Sequence, residues 1–218
     1  MNEEAKSPSA EAVKCLLSQQ WPRAVPSPAA LGEDLFRTGV GEFNQLLPGG
    51  GLPRGQWVEI VGSPGSGRTG FLFTLLSGCA PDEPIAYLDL PRQFFPAAAQ
   101  AAGMPLAQLH WLAPAGSGLA LRAAETLLTR GRARVVVFDL TGEKSPLPQP
   151  LVHRLRQETL RSGALVFLLS EPPAQVVAPS TVVLRVGVER QKACCILRVL
   201  KSRLGGEGAW RAWTPGGP

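Results

Sequence analysis

Trp57-Val58-Glu59-Ile60-Val61 followed by Gly62-Ser63-Pro64-Gly65-Ser66-Gly67-Arg68-Thr69 and then Phe71-Leu72-Phe73-Thr74-Leu75-Leu76 is the stretch that decides the fold. It reads as a strand, a glycine-rich turn and the first turns of a helix. The spacing is GxxxxGK(S/T), the phosphate-binding loop, except that Arg68 stands where the lysine belongs. Glycines suit such a loop because successive backbone N–H groups converge on a phosphate only where no Cβ intervenes and positive φ is allowed. The helix that starts near Gly67 adds its positive end. The spacing therefore nominates Gly62, Ser63, Gly65, Ser66, Gly67, Arg68 and Thr69 as nucleotide-binding residues, with the Thr69 hydroxyl as a Mg²⁺ ligand. The same residues would also make a glycine-rich turn that binds nothing.

Working outward, the chain of 218 residues fits one α/β domain with appended ends. Strands are expected over Pro84–Leu90, Leu109–Leu112, Arg134–Asp139 and Ala164–Leu169, and helices over Phe94–Ala102, Leu119–Thr129 and Pro150–Arg161. Alternation of helices with strands rich in β-branched residues means a mostly parallel sheet flanked by helices on both faces. Thr181–Val188 and Lys192–Leu200 read as a terminal antiparallel pair. Asp139 closes the run Val135-Val136-Val137-Phe138, where an acid can hold Mg²⁺ beside the loop hydroxyl. An aspartate at a strand end is also a common cap of the next turn.

Three segments make up the chain: an N-terminal helix and linker (1–30), a core domain (31–204) and a tail (205–218). Ala10–Trp21 is an amphipathic helix with Val13, Leu16, Leu17 and Trp21 on its apolar stripe. Pro22, Pro26 and Pro28 follow as a stiff linker, which gives the stripe reach to dock on a partner; packing on its own domain is the plainer alternative. In the tail, Trp210 and Trp213 either seek a partner or lie on a last edge strand without facing opposite sides.

The net charge of +5 is unevenly placed: Met1–Leu119 holds 7 Lys and Arg against 10 Asp and Glu, and Ala120–Pro218 holds 15 against 7. A basic C-terminal half favours a polyanionic or acidic partner. The candidates for contact with single-stranded DNA, or for an interface, are Arg154, Arg156 and Arg161 on one helix and Lys201 and Arg203 after the last hairpin. A solvated helix face or a basic turn would look the same. No apolar run approaches the ~18 residues that cross a bilayer, so no membrane contact and a cytoplasmic location are expected. The four cysteines form no CxxC pair, which argues against a disulfide framework or a zinc site.

The stretch from Thr38-Gly39 through Glu42-Phe43-Asn44-Gln45-Leu46-Leu47 to Gly49-Gly50-Gly51-Leu52-Pro53-Arg54-Gly55, followed by the phosphate loop, resembles the RecA superfamily. The order of elements extends the resemblance over roughly residues 38–204. It implies a RecA-like core, ATP and Mg as cofactors, and an aspartate of the Walker B kind at Asp139. It also implies a water-orienting glutamate two residues beyond the aspartate that ends the second strand. Here that aspartate is Asp89, and Pro91 occupies the glutamate's place. With Arg68 as well, the resemblance implies weak or vestigial ATP and Mg binding and no catalytic residues.

The segments Thr141–Pro150 and Glu171–Ser180 are short for DNA-binding loops and hold only one cation, Lys144. Leu200-Lys201-Ser202-Arg203 resembles a RecA stretch whose cations reach a neighbour's nucleotide. Within the superfamily the chain resembles the ImuA family, RecA-like accessory proteins of SOS mutagenesis. That resemblance implies an inactive Y-family polymerase homologue (ImuB), an error-prone C-family polymerase and RecA itself as partners. An active DNA-dependent ATPase or recombinase paralogue is the alternative, and a RecA-fold cell-division inhibitor a third reading.

Overall fold

The computed structural model describes residues 35–173 and 176–215. The expected N-terminal helix, with Val13, Leu16, Leu17 and Trp21, and its proline-rich linker lie outside them. The frame is an eight-stranded sheet in the order β10-β9-β8-β3-β7-β6-β4-β5. Its parallel part comprises β3 (Trp57–Val61), β4 (Ile85–Asp89), β5 (Leu109–Leu112), β6 (Val135–Asp139), β7 (Leu165–Ser170) and β8 (Leu184–Gln191). β9 (Cys194–Ser202) and β10 (Trp210–Trp213) extend one edge antiparallel. A two-stranded antiparallel ribbon, β1 (Leu35–Phe36) with β2 (Leu52–Pro53), stands apart from the sheet.

Both faces of the sheet are covered, as near-continuous apolar strands require. On one face Val58, Ile60, Val137 and Phe167 pack with α1 (Gly41–Asn44), α2 (Arg68–Leu76) and α3 (Pro96–Ala101). On the other, Trp57, Ala86, Val136, Phe138 and Val166 pack with α4 (Ser117–Thr129) and α5 (Gln149–Ser162). This is the expected α/β architecture. The Trp57 indole N–H donates to Thr159 Oγ1 at 3.1 Å, tying β3 to α5. The two faces also sort the acids: Glu59 looks toward α5, whereas Asp89 and Asp139, paired in register across β4 and β6, share the face of α2.

The Thr38-Gly39 pair is a steric device. A Cβ on Gly39 would lie 1.9 Å from Ser77 Oγ and 2.3 Å from the Thr74 carbonyl oxygen, so only glycine lets this segment cross the end of α2. There the Gly39 N–H donates to the Leu75 carbonyl at 3.1 Å. Asn44 clamps the turn, accepting from the Thr38 N–H at 3.1 Å and donating to the Thr38 carbonyl at 2.9 Å.

The terminal hairpin is shifted from its expected bounds. β8 begins at Leu184 rather than Thr181, and β9 runs from Cys194 to Ser202 rather than from Lys192 to Leu200. A tight turn over Lys192-Ala193 replaces the expected strand start, with Lys192 in the left-handed region at φ 51°. The tail supplies a strand: β10 pairs with β9, Trp210 opposite Arg198 and Trp213 opposite Cys195. The expectation that the two tryptophans do not face oppositely is corrected. Three residues apart on a strand means opposite faces, and Trp213 is 4% exposed while Trp210 is 55% exposed. Trp213 meets Phe71 edge to face at 5.3 Å, so the last strand braces the helix that follows the phosphate loop.

Candidate nucleotide site at the carboxyl ends of the strands

β3 sits between β7 and β8, and its chain continues through Gly62–Gly67 into α2. Gly65 and Gly67 have φ of 76° and 89°, a region that side-chain-bearing residues avoid, and the backbone bends as a phosphate loop must. The loop is a hydrogen-bonded turn, Ser66 N–H to the Ser63 carbonyl at 3.0 Å, and α2 starts with the Phe71 N–H donating to the Gly67 carbonyl at 2.8 Å. Thr69 lies in the first turn of α2, half-buried, and its hydroxyl makes no hydrogen bond among the described residues. The backbone of Gly62–Gly67 and the N-terminus of α2 thus have the form of a phosphate cradle, and Thr69 and Asp139 are the residues that would hold Mg²⁺.

The cation does not fit in the same way. Arg68 is buried, and its guanidinium turns back from the loop's mouth. Nη1 donates to the Gly62 carbonyl, and Nη2 donates to Thr141 Oγ1 at 2.8 Å and to the Glu171 carboxylate at 2.8 Å. Glu171 follows the last residue of β7, so the ion pair ties the first turn of α2 to the end of that strand. A lysine, with one ammonium and no planar fork, could not hold three such acceptors in this geometry. Arg68 is therefore a strut neutralised by Glu171, rather than a free charge awaiting a phosphate.

The acids around the loop are similarly engaged. Asp139 Oδ2 accepts from the Tyr87 hydroxyl at 3.0 Å and Oδ1 from the Thr141 N–H at 3.1 Å. Burial first, and then the charge of Asp139, raises the Tyr87 hydroxyl well above its ordinary range, so it remains a donor. Asp89 caps the turn after β4, accepting from the Gln93 and Phe94 N–H groups at 2.9 Å each and from the Trp111 indole at 3.1 Å. With Pro91 next in that turn, it offers no acid beyond Asp89 itself, and Asp89 is fully buried.

Several neighbours escaped the sequence reading. Besides Glu171 and Thr141, the hairpin tip lies against the loop: Arg190 Nε donates to the Gly65 carbonyl at 3.2 Å, and the Cys195 thiol contacts the Ser66 carbonyl at 3.5 Å. A Cβ on Gly62 would lie 2.8 Å from the Val188 carbonyl, which shows how tightly β8 abuts the loop. In the sheet, Glu59 is fully buried and held by Ser170 Oγ at 2.7 Å and Arg185 Nε at 2.7 Å. Residues 59, 170 and 185 sit on three strands, and nothing local in the sequence links them.

The five basic candidates separate into two kinds. Arg154 pairs with Glu125 at 2.7 Å and Arg161 with Glu158 at 2.7 Å on the exposed face of α5, an ordinary solvated pattern. Arg156, Lys201 and Arg203 form no ion pair among the described residues. Arg156 donates to the Ser180 carbonyl at 3.2 Å and Lys201 to the Pro179 carbonyl. Because β9 runs antiparallel and Ser202 pairs with Leu184 at the start of β8, Lys201 and Arg203 lie at the opposite edge of the sheet from the phosphate loop.

The chain is similar to the protein RecA of Blastochloris viridis, with 30% identity over 173 residues, covering 74% of this chain and 49% of that protein. The chain thus spans about half the length of this relative. No protein-family model matches. The likeness supports the RecA superfamily, and the mostly parallel sheet with helices on both faces agrees with a RecA-like core. Among the described residues no helix is long and apolar enough to cross a membrane.

Proposed function

We propose that this protein is a RecA-like accessory factor of SOS-induced mutagenic translesion synthesis, of the ImuA kind, that binds ATP and Mg weakly and does not turn ATP over. The observation that carries the reading is the strut from Arg68 to Glu171, Thr141 and Gly62. Phosphoryl transfer depends on charge placed at the developing transition state and on an oriented attacking water. Here the loop's own cation is spent on a protein carboxylate, and Pro91 stands where the water-orienting acid belongs. The protein then acts through contacts: with an inactive Y-family polymerase homologue, an error-prone C-family polymerase, RecA, and single-stranded DNA.

The loop backbone, Thr69 and Asp139 favour the rival reading, an active DNA-dependent ATPase. Steady-state phosphate release by the full chain, with and without single-stranded DNA, separates the two. The accessory reading expects release at background in both conditions. Turnover on the order of 1 per second would establish the enzyme instead. Co-purification of the polymerase partners with the tagged protein after DNA damage, lost without damage induction, is the expected cellular result.

A further inference from the structure

The hairpin of β8 and β9 outruns the strand it flanks. β8 lies parallel to β3, and the last residues they pair are Gly187 and Val61. Residues 188–191 of β8 therefore continue past the end of β3, about 13 Å of extended chain at ~3.3 Å per residue. Val186 and Val188 alternate onto the face of α2 and join its core, and Arg190 is the next residue on that face. Beyond the sheet it meets the phosphate loop instead of the core: Nε donates to the Gly65 carbonyl at 3.2 Å. A Cβ on Gly67 would lie 3.7 Å from Arg190 Nη2, so the guanidinium reaches along the loop from Gly65 to Gly67. The overhang is seated at two further points. Cys195, opposite Arg190 in the hairpin, contacts the Ser66 carbonyl at 3.5 Å, and the Val188 carbonyl abuts Gly62. Arg190 is exposed, and its two Nη groups make no hydrogen bond and no ion pair among the described residues. Arg68, at the same loop, is buried and offset by Glu171.

We infer that Arg190 is the cation that contacts the phosphates of a nucleotide held at the 62–69 loop, in the role that Arg68 gives up to Glu171. The inference rests on the proposed ATP binding and names the residue that supplies its charge. Tethered by Nε, the side chain presents Nη1 and Nη2 as a planar donor pair, the form that matches two phosphate oxygens at once. Its charge costs little to keep in the free protein, because it stays in water. Turnover does not follow, since Pro91 still supplies no acid.

The test is the ATP affinity of the full chain by calorimetry with Mg²⁺, alongside its melting temperature without ligand. Arg190→Gln should weaken ATP binding at least ~10-fold, the loss expected for a hydrogen bond to a charged group. Arg190→Lys should fall between that variant and the wild type, because it keeps the charge and loses the fork. Neither should move the ligand-free melting temperature by more than about two degrees, as the side chain is exposed. Arg132→Gln, an exposed charge elsewhere, should leave ATP binding unchanged. The wild-type affinity should also fall more steeply with salt than that of Arg190→Gln, since a screened charge is what the variant lacks. If Arg190→Gln binds ATP as Arg132→Gln does, the inference is wrong while nucleotide binding stands. A wild type that binds no ATP overturns both. Weaker binding with parallel salt curves, with a ligand-free melting temperature several degrees lower, or with no recovery in Arg190→Lys would make Arg190 a structural brace of the loop and overturn the inference as well.

Discussion

Two clusters of charge at opposite edges of one sheet are built in opposite ways. Around the phosphate loop Arg68 has Glu171, Asp139 has Tyr87 and Thr141, Asp89 caps its own turn, and Arg190 has the Gly65 carbonyl. Beneath β8 and β9, the Arg156 guanidinium has the Ser180 carbonyl and no acid, and Arg203 Nε and Nη2 have no acceptor. A site that keeps its charges paired gains stability and gives up affinity for an ionic ligand; a site that leaves them unpaired does the reverse. The end that carries the recognisable motif thus pairs its buried arginine with an acid, and the end without a motif does not.

The largest test of that contrast is Arg68→Met. It should destabilise the fold by about 3 kcal/mol in denaturant unfolding, because it strands Glu171 and leaves Thr141 and the Gly62 carbonyl short of a donor. Arg203→Met, which deletes buried donors that have no acceptor, should instead raise the melting temperature. A loss of stability in both variants would erase the distinction between the clusters. Tyr87→Phe comes next: it deletes the donor to Asp139 and should cost about 1.5 kcal/mol, the value of a hydrogen bond to a charged group. No measurable change would mean that Asp139 is solvated there instead of held.

The smallest effect lies beyond both clusters, at Cys79 just after α2. Burial, with help from the Glu83 carboxylate, pushes this thiol up to about 12 from 9.0. The unfolded chain loses the thiol proton above its ordinary value while the folded chain keeps it, so stability falls as pH rises from 9 towards 12. By pH 10 the loss is about 1.4 kcal/mol. Cys79→Ala should remove that part of the alkaline slope, and an unchanged slope would assign it to other groups.

Much of the fold was legible because its signals are local. The strand, the glycines and the helix of residues 57–76 are contiguous, and the apolar runs ending at Asp89 and Asp139 marked their strands within a residue or two. The hairpin bounds were misplaced because a tight turn at Lys192 carries no glycine to announce it. The state of the site could not be read, since it rests on pairings at long range. Arg68 meets Glu171 across 103 positions and Tyr87 meets Asp139 across 52. Sequence showed that arginine replaces lysine, but only packing shows that the arginine is turned inward. The split of the basic residues into paired and unpaired sets has the same origin: Arg154 and Arg156 are two positions apart on one helix, yet one faces Glu125 and the other the 179–181 segment.

The measurement that bears most directly on the account is ATP affinity of Glu171→Gln against the wild type, by calorimetry with Mg²⁺ present and folding checked by circular dichroism. Neutralising Glu171 removes the competitor for the Arg68 charge while keeping a hydrogen-bond acceptor, so ATP should bind about 10-fold tighter, a gain of about 1.4 kcal/mol. Phosphate release should stay at background, since Pro91 still supplies no acid. Unchanged or weaker ATP binding in a folded Glu171→Gln protein would show that Arg68 is not withheld from the nucleotide, and the central claim would fail.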